Sequence, residues 1–132
     1  MATEKPYALR SGCPIASSLD QVGDRWSLVI LRDLFVGKKR FSQFLASPER
    51  ITTNILTDRL EALTRDGYVV RVKYQERPAR FEYELTAKGL GLLPVLQALC
   101  RWANEYLPGT WVPPDSFMRR RLPRKRRTTT TT

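Results

Sequence analysis

The apolar period of the sequence changes at Gly67, and this change constrains the fold more than any other feature. Before it, in ITTNILTDRLEALTRDG (residues 51–67), apolar residues recur at the spacing of one helix face, and Thr52 suits the start of a helix. The apolar helix positions are Ile55, Leu56, Leu60 and Leu63. After Gly67, apolar and charged residues alternate as in half-buried strands. The alternating positions are Val70, Val72 and Tyr74, then Phe81, Tyr83 and Leu85.

QERPA (residues 75–79) joins the two alternating runs, so a hairpin is predicted directly after the helix. Earlier helices are predicted from Pro14 to Gly23, over residues 25–36, and in KKRFSQFLAS (residues 38–47). Residues 25–36 are apolar nearly all round, which is typical of a helix in the middle of a domain. After the hairpin, one long helix is predicted over about 87–107, capped by Thr86 and bent at Pro94. The predicted fold class is α+β, mainly helical.

Length and charge define the organisation of the chain. With 132 residues, it has room for one hydrophobic core. We expect an arm over residues 1–12, a domain over 13–107, and a Pro-rich, basic tail without ordered structure over 108–132. The net charge is +10, and RRRLPRKRR (residues 119–127) carries seven of the basic residues. Without that stretch the chain holds 16 basic and 13 acidic residues, a net charge of +3.

This charge balance favours a polyanionic partner, nucleic acid ahead of an anionic membrane. The alternative is a solvated tail that keeps the protein soluble. The sequence has no histidine, no phosphate-binding glycine loop and no convincing pair of nucleophile and base, so no enzyme activity, metal site or cofactor is predicted. Neither a signal peptide nor a membrane-length apolar run occurs, so a cytoplasmic protein is expected.

The predicted order of elements is a helix, a short helix, a longer helix and a hairpin, which is the order of a winged helix-turn-helix. The third helix of this series, Thr52–Asp66, carries an unusual set of side chains in its first turns. Small hydrogen-bonding side chains occupy the first turns of this helix, at a place where a merely soluble helix usually carries Lys and Glu. An α-helix fits the major groove of DNA, where its first residues meet the base edges. Asn54 is the best candidate reader, because an amide can pair with adenine N6 and N7. Thr53 and Thr57 would touch a base or a thymine methyl group, although they also fit an ordinary exposed helix surface.

Basic residues flank this helix in the sequence. Arg77 and Arg80 at the hairpin tip suit phosphate or minor-groove contact. The turn at residues 38–40 suits backbone phosphates, but it is equally compatible with a solvated basic turn. Asp58 argues against deep insertion of its helical turn into the groove. The predicted DNA-contact residues are Thr52, Thr53, Asn54, Thr57, Arg77, Arg80, Lys38, Lys39 and Arg40.

The final predicted helix has a wider apolar stripe than a domain of this size should cover by itself. A homodimer would bury the stripe and present two recognition helices to a palindromic site in double-stranded DNA. The alternative is that the stripe packs only on its own domain. The predicted interface residues are Leu92, Val95, Leu96, Leu99, Trp102, Ala103 and Tyr106.

Five segments in order resemble one family, the HxlR-type winged-helix transcriptional regulators related to the MarR group. The segments are CPI, RWSLVILRDLFVGKKRFSQF, ITTNILTDRLEAL, RFEYELTAKG and LLPVLQALCRWANEY. The resemblance implies a homodimeric bacterial regulator whose N- and C-terminal helices form the dimer interface. It also implies recognition by the Thr52–Asp66 helix and a wing around Arg77 and Arg80. We expect a repressor with a two-fold symmetric operator; the alternative is a non-specific nucleic-acid-binding protein driven by its tail.

Cys13 lies where several members of this family sense oxidants or electrophiles. A cysteine just before Pro14, at a helix start, would have its thiolate stabilised by the helix dipole. The alternative is an unreactive capping residue. Cys100, on an apolar helix face, is expected to be an inert core thiol. The effector is expected to be an oxidant, or else a small molecule in the dimer crevice.

Overall fold

The structure, a computed structural model, describes residues 9–123. Most of the predicted arm and the end of the predicted tail lie outside these residues. The elements, in chain order, are α1 (Pro14–Val22), α2 (Ser27–Phe35), α3 (Phe41–Leu45), α4 (Thr53–Arg65), β1 (Val69–Gln75), β2 (Arg80–Leu85), α5 (Ala87–Leu90), α6 (Leu93–Tyr106) and α7 (Asp115–Met118). The predicted succession of helices and hairpin is confirmed up to Leu85. No helix within residues 9–123 is long and apolar enough to cross a membrane.

Helix α2 is central to the hydrophobic core, as its apolar sequence predicts. Ile30 and Leu31 are 1% and 0% exposed. One face of α4 packs against this helix together with Phe44 of α3, and the buried α4 residues are Leu56, Leu60, Ala62 and Leu63. Ile55 departs from the predicted apolar face, since 37% of it is exposed. The packed face therefore fixes α4 by its middle and leaves its first turn at the surface.

The ends of α4 follow from local chemistry. The Thr52 hydroxyl accepts a hydrogen bond from the Ile55 backbone N–H over 3.3 Å, satisfying one of the free donors of the first turn. Gly67 has a φ of +85°, a left-handed conformation that favours glycine and turns the chain from α4 into β1. Both predicted helix signals are therefore present in the structure.

Strands β1 and β2 form an antiparallel hairpin in which Val72 lies opposite Glu82. The alternating sequence predicts these strands, but the buried side chains of the hairpin are not always the apolar ones. Val70 and Val72 are 45% and 36% exposed, whereas Glu82 is 9% exposed. The Tyr83 N–H donates to the Lys39 carbonyl over 2.8 Å, so the turn before α3 pairs with the outer edge of β2.

The predicted single helix over 87–107 is wrong, because the structure has two helices there. Thr86 caps α5 as predicted, but α5 ends at Leu90, and α6 begins at Leu93. Pro94 lies in the first turn of α6 and bends no helix. Proline has no N–H to donate, so it fits a first turn better than a helix interior.

The prediction of a tail without ordered structure from residue 108 is also wrong as far as residue 123. Phe117 and Leu122 pack against a second core cluster formed by Phe35, Leu93 and Leu96. The composition of this segment is Pro-rich and basic, but the segment also contains apolar residues. Packing of Phe117 and Leu122 against this cluster removes apolar surface from water, which stabilises the segment in its position on the domain. Residues 124–132 lie outside the described part of the chain.

Candidate nucleic-acid interface

The first turns of α4 form an exposed polar surface. Thr53, Asn54 and Thr57 are all exposed. Within residues 9–123 no hydrogen bond engages any of these three side chains. The Thr52 hydroxyl differs, because it caps the helix. The amide and two hydroxyls are therefore available as donors and acceptors for a ligand.

A polar network built around the buried residues Asp33 and Ser47 holds the turn before α4. The two terminal guanidinium nitrogens of Arg32, Nη1 and Nη2, donate to the Glu49 carboxylate over 2.7 and 2.8 Å, and Arg32 also pairs with Asp33 over 2.8 Å. The Ser47 hydroxyl donates to Asp33, which is 3% exposed, and accepts from Lys38 Nζ over 2.8 Å. Hydrogen bonding from Arg32 lowers the pKa of Glu49. A two-pronged pair of this kind fixes orientation as well as distance, so the network orients the start of α4 relative to α2.

A second set of contacts holds α4 at its middle. The Asp24 carboxylate accepts from the N–H groups of Trp26 and Ser27, each over 2.9 Å, at the start of α2. Arg59 of α4 lies 3.4 Å from Asp24 and donates to Asp58 over 2.8 Å. The positive charge of Arg59 therefore partly offsets the negative charge of Asp58. Repulsion between Asp58 and phosphate was the ground for expecting that this turn of α4 does not enter the DNA groove deeply.

The hairpin tip presents its two predicted arginines to solvent. Arg77 and Arg80 are exposed, and neither forms an ion pair with any residue between 9 and 123. Both guanidinium groups are thus free to contact phosphate.

The three basic residues of the turn at 38–40 have partners inside the protein. Lys38 bonds to Ser47, as described above, and Lys39 Nζ lies 3.8 Å from the Glu82 carboxylate. Arg40 Nε donates to Glu82 over 3.0 Å. The turn therefore supports the hairpin, and part of its charge is neutralised by Glu82. The role of Glu82 is not visible in the sequence, because its position in the alternation is that of a solvent-facing residue.

Arg71 is a further basic residue at this surface, and it is not among the contact residues predicted from the sequence. It is exposed and lines an open cleft of about 460 Å³ between α4 and the hairpin, together with Thr57 and Tyr83. Its guanidinium lies 3.7 Å from the centre of the Phe81 ring. The alternation of Arg71 with valines was visible in the sequence, but its position beside α4 depends on the docking of the hairpin.

The predicted interface residues of α6 divide into two groups. Leu96 is 6% exposed inside the second core cluster, and Leu92 packs against the first cluster, so neither offers a free surface. Ala103 is partly buried. The remaining four form an exposed stripe at helical spacing: Val95, Leu99, Trp102 and Tyr106, with exposures of 43%, 47%, 54% and 63%. Helix α1 adds Ile15 and Leu19, also exposed.

The two cysteines differ in environment. Cys13 is exposed and precedes α1, where its side chain makes no capping hydrogen bond. Cys100 is partly buried in α6, and burial raises the pKa of its thiol. The thiolate fraction of Cys100 near neutral pH is reduced accordingly.

Helices α2, α3 and α4, followed by a hairpin with a basic tip, define a winged helix-turn-helix protein in which the first turns of α4 are exposed. Residues 21–110 match the HxlR-like helix-turn-helix family. The chain belongs to this family and is a transcriptional regulator rather than an enzyme, which confirms the predicted class.

Known relatives agree with this assignment. The chain is 39% identical over 95 residues to the HTH-type transcriptional regulator YdeP of Bacillus subtilis, covering 72% of this chain and 74% of YdeP. Mycobacterial relatives are longer, and the chain spans 65% of their length. Among solved structures, the transcription factor PA1607 is 39% identical with a TM-score of 0.69, covering 77% of this chain and 72% of PA1607. The oxidised form of the redox regulator HypR is 34% identical with a TM-score of 0.65, covering 70% of this chain and 96% of HypR.

Proposed function

We propose that this regulator is a sequence-specific repressor in the cytoplasm that binds a two-fold symmetric operator in double-stranded DNA as a homodimer. The observation that carries the proposal is the exposed, unengaged polar surface formed by Thr53, Asn54 and Thr57. Helix α4, which carries these residues, is held in place by its buried face and by two polar networks. A rigidly held helix with free donors and acceptors at its first turns suits the reading of base edges in the major groove.

The hairpin would act as the wing. Arg77 and Arg80 are free to contact phosphates beside the recognition helix, which adds affinity on any sequence. Lys38, Lys39 and Arg40 would contribute less than three free cations, because Glu82 and Ser47 already engage them. Base reading and phosphate binding would thus come from different elements of the same surface.

The exposed stripe of α6, with Ile15 and Leu19 of α1, supports a homodimer. Exposed apolar residues in such a stripe mark an interaction surface, and a second copy would bury it. A two-fold axis through this contact would place two recognition helices about one DNA turn apart, roughly 34 Å. Each half of the operator would then be read by one protomer.

Cys13 would make DNA binding responsive to oxidants or electrophiles. Its exposure supports this role, as does the similarity of the chain to HypR, a redox regulator. Oxidation or alkylation would add bulk at the start of α1, beside the proposed dimer contact, and so would alter the spacing of the recognition helices. A small molecule in the dimer crevice is the alternative effector.

Selection of bound duplexes from a random DNA pool tests the proposed function. A two-fold symmetric consensus with half-sites about one helical turn apart is expected. Equal retention of unrelated duplexes would contradict sequence-specific binding and would instead indicate a non-specific nucleic-acid-binding protein. Reporter transcription from a promoter carrying the consensus should fall when the protein is expressed, and a rise would contradict repression.

A further inference from the structure

The segment over residues 111–123, here called the C-terminal strap, lies beyond the part of the chain that matches the family. Phe117 and Leu122 of the strap pack against the second core cluster, which combines the last residue of α2 with two residues of α6. The strap therefore contacts both the central helix of the domain and the helix that carries most of the proposed dimer contact.

Hydrogen bonds in two directions add to this apolar packing. Gln97 of α6 is 8% exposed, and its amide nitrogen donates to the strap carbonyls of Phe117 and Arg120, over 3.0 and 2.8 Å. Arg120 Nη1 in turn donates to the Phe35 carbonyl at the end of α2 over 2.8 Å, and its guanidinium lies 5.3 Å from the centre of the Phe35 ring. A buried amide that uses both of its hydrogens in this way specifies one position for its partner. The strap is thus a bridge between α6 and α2.

The buried residues of α6 lie near its beginning, so its direction depends on such a bridge. Leu93, Leu96 and Gln97 fall within the first five of its 14 residues, whereas the exposed stripe continues to Tyr106. A helix of this length is about 21 Å long, so a tilt of about 10° at its beginning would move its end by about 4 Å. The strap opposes this tilt because it joins α6 to α2.

The α2 side of the bridge is linked to the helix that carries the proposed base reader. Arg32, three residues before Phe35, bonds to Glu49 in the turn before α4. Asp33 accepts a hydrogen bond from Ser47 of the same turn, and α4 packs along α2 in the first core cluster. A tilt of α6 relative to α2 would therefore also be a tilt relative to the start of α4.

We propose that the strap determines which spacing of operator half-sites the protein accepts, by fixing the angle between α6 and α4. The inference rests on the proposed function, a homodimer on a two-fold symmetric operator, and adds a specificity-determining element to it. The two recognition helices of such a dimer must match the DNA in distance and in rotation. One additional base pair moves the second half-site by about 3.4 Å and rotates it by about 35°. The displacement that a small tilt of α6 would produce is of this size.

Operators with the selected half-sites, at the optimal spacing and at one base pair more or fewer, test the inference with full-length protein. The wild type should bind the optimal operator about tenfold more tightly than either altered operator, because a misplaced half-site loses part of the gain from two-site binding. Phe117→Ser removes an apolar contact of the strap. It should reduce this ratio to about threefold, since only a fraction of the released dimers would hold the optimal geometry.

The ratio of affinities distinguishes this role from a loss of stability. A partly unfolded variant would bind all three operators less tightly by the same factor, so its ratio would equal that of the wild type. Phe117 packs within the protomer and lies outside the exposed stripe, so Phe117→Ser should still sediment as a dimer.

A matched pair separates the bridge from charge. Arg120→Ala and Arg121→Ala each remove one positive charge from the strap, but only Arg120 bonds to Phe35 among the described contacts. Arg120→Ala should therefore lower the ratio of affinities, and Arg121→Ala should keep the ratio of the wild type.

Four results would each overturn the inference. They are equal binding of the three operators by the wild type, a wild-type ratio in Phe117→Ser, equal ratios in the two arginine variants, and dissociation of Phe117→Ser into monomers. Failure of the proposed function has a different signature, because the wild type would then bind a single half-site as tightly as any symmetric operator.

Discussion

Arg40 Nε donates a 3.0 Å hydrogen bond to Glu82, and the same guanidinium lies 4.2 Å from the centre of the Tyr74 ring. One side chain from the turn before α3 thus contacts both strands of the wing. Glu82 is a nearly buried carboxylate, and such a group is costly unless it is paired. The pair therefore positions the wing and at the same time withholds one positive charge from any phosphate.

Glu82→Gln should release that charge. The substitution keeps the side-chain shape but removes the carboxylate that neutralises Arg40, so affinity for random-sequence duplex should rise and the salt slope should steepen by about one unit. Glu84→Gln is the matched control, because it removes an equal charge from an exposed position of the same strand. Salt titrations that give the same slope for both variants would contradict the neutralising role of Glu82.

Arg77→Ala and Arg80→Ala should each weaken binding to all DNA sequences. Each removes one phosphate contact, so the salt slope should fall by about one unit per substitution. Arg10→Ala is the control, since Arg10 is exposed but pairs with Asp20 of α1. The wing would not reach phosphate if both tip variants kept the slope of the wild type.

The exposed stripe of α6 leads to a prediction about assembly. The wild type should sediment as a dimer at micromolar concentration, and Trp102→Glu or Leu99→Glu should give folded monomers. Both positions are about half exposed within the protomer, so a charge is tolerated there but not in an apolar interface. Leu96→Glu, at a position buried within the protomer, should instead unfold the protein. A monomeric wild type would refute the dimer and the palindromic operator.

Thiol chemistry tests the proposed sensor. Cys13 should be alkylated well before Cys100, whose thiol is partly buried and has a raised pKa. Operator affinity should then change on treatment with a mild oxidant or quinone in the wild type and in Cys100→Ser, but not in Cys13→Ser. If oxidant leaves wild-type binding unaltered, Cys13 is not the sensor.

Local patterns were sufficient to predict most of the fold. The Thr52 cap, the turn at Gly67 and the alternating strands each depend on residues close together in the chain, so their signals are visible in the sequence. The exposure of Thr53, Asn54 and Thr57 also follows from the helix period, because the apolar residues of α4 face the other way.

What could not be predicted depends on partners distant in sequence. Glu82 is nearly buried and pairs with Arg40, which lies 42 residues earlier in the chain. Arg120 bonds to Phe35 across 85 residues, and this docking orders a segment whose composition suggested none. Composition and apolar period carry no information about such distant pairings. The division of the α6 stripe into buried and exposed residues also depends on contacts between residues distant in sequence.

The most direct test concerns Asn54, the proposed base reader. Affinities of wild type and Asn54→Ala should be measured on the selected operator and on a scrambled duplex of equal length, at the same salt concentration. Loss of the amide should weaken operator binding by about 1–3 kcal/mol and leave binding to the scrambled duplex nearly unchanged. Equal losses on both duplexes, or none on the operator, would contradict base reading by the start of α4.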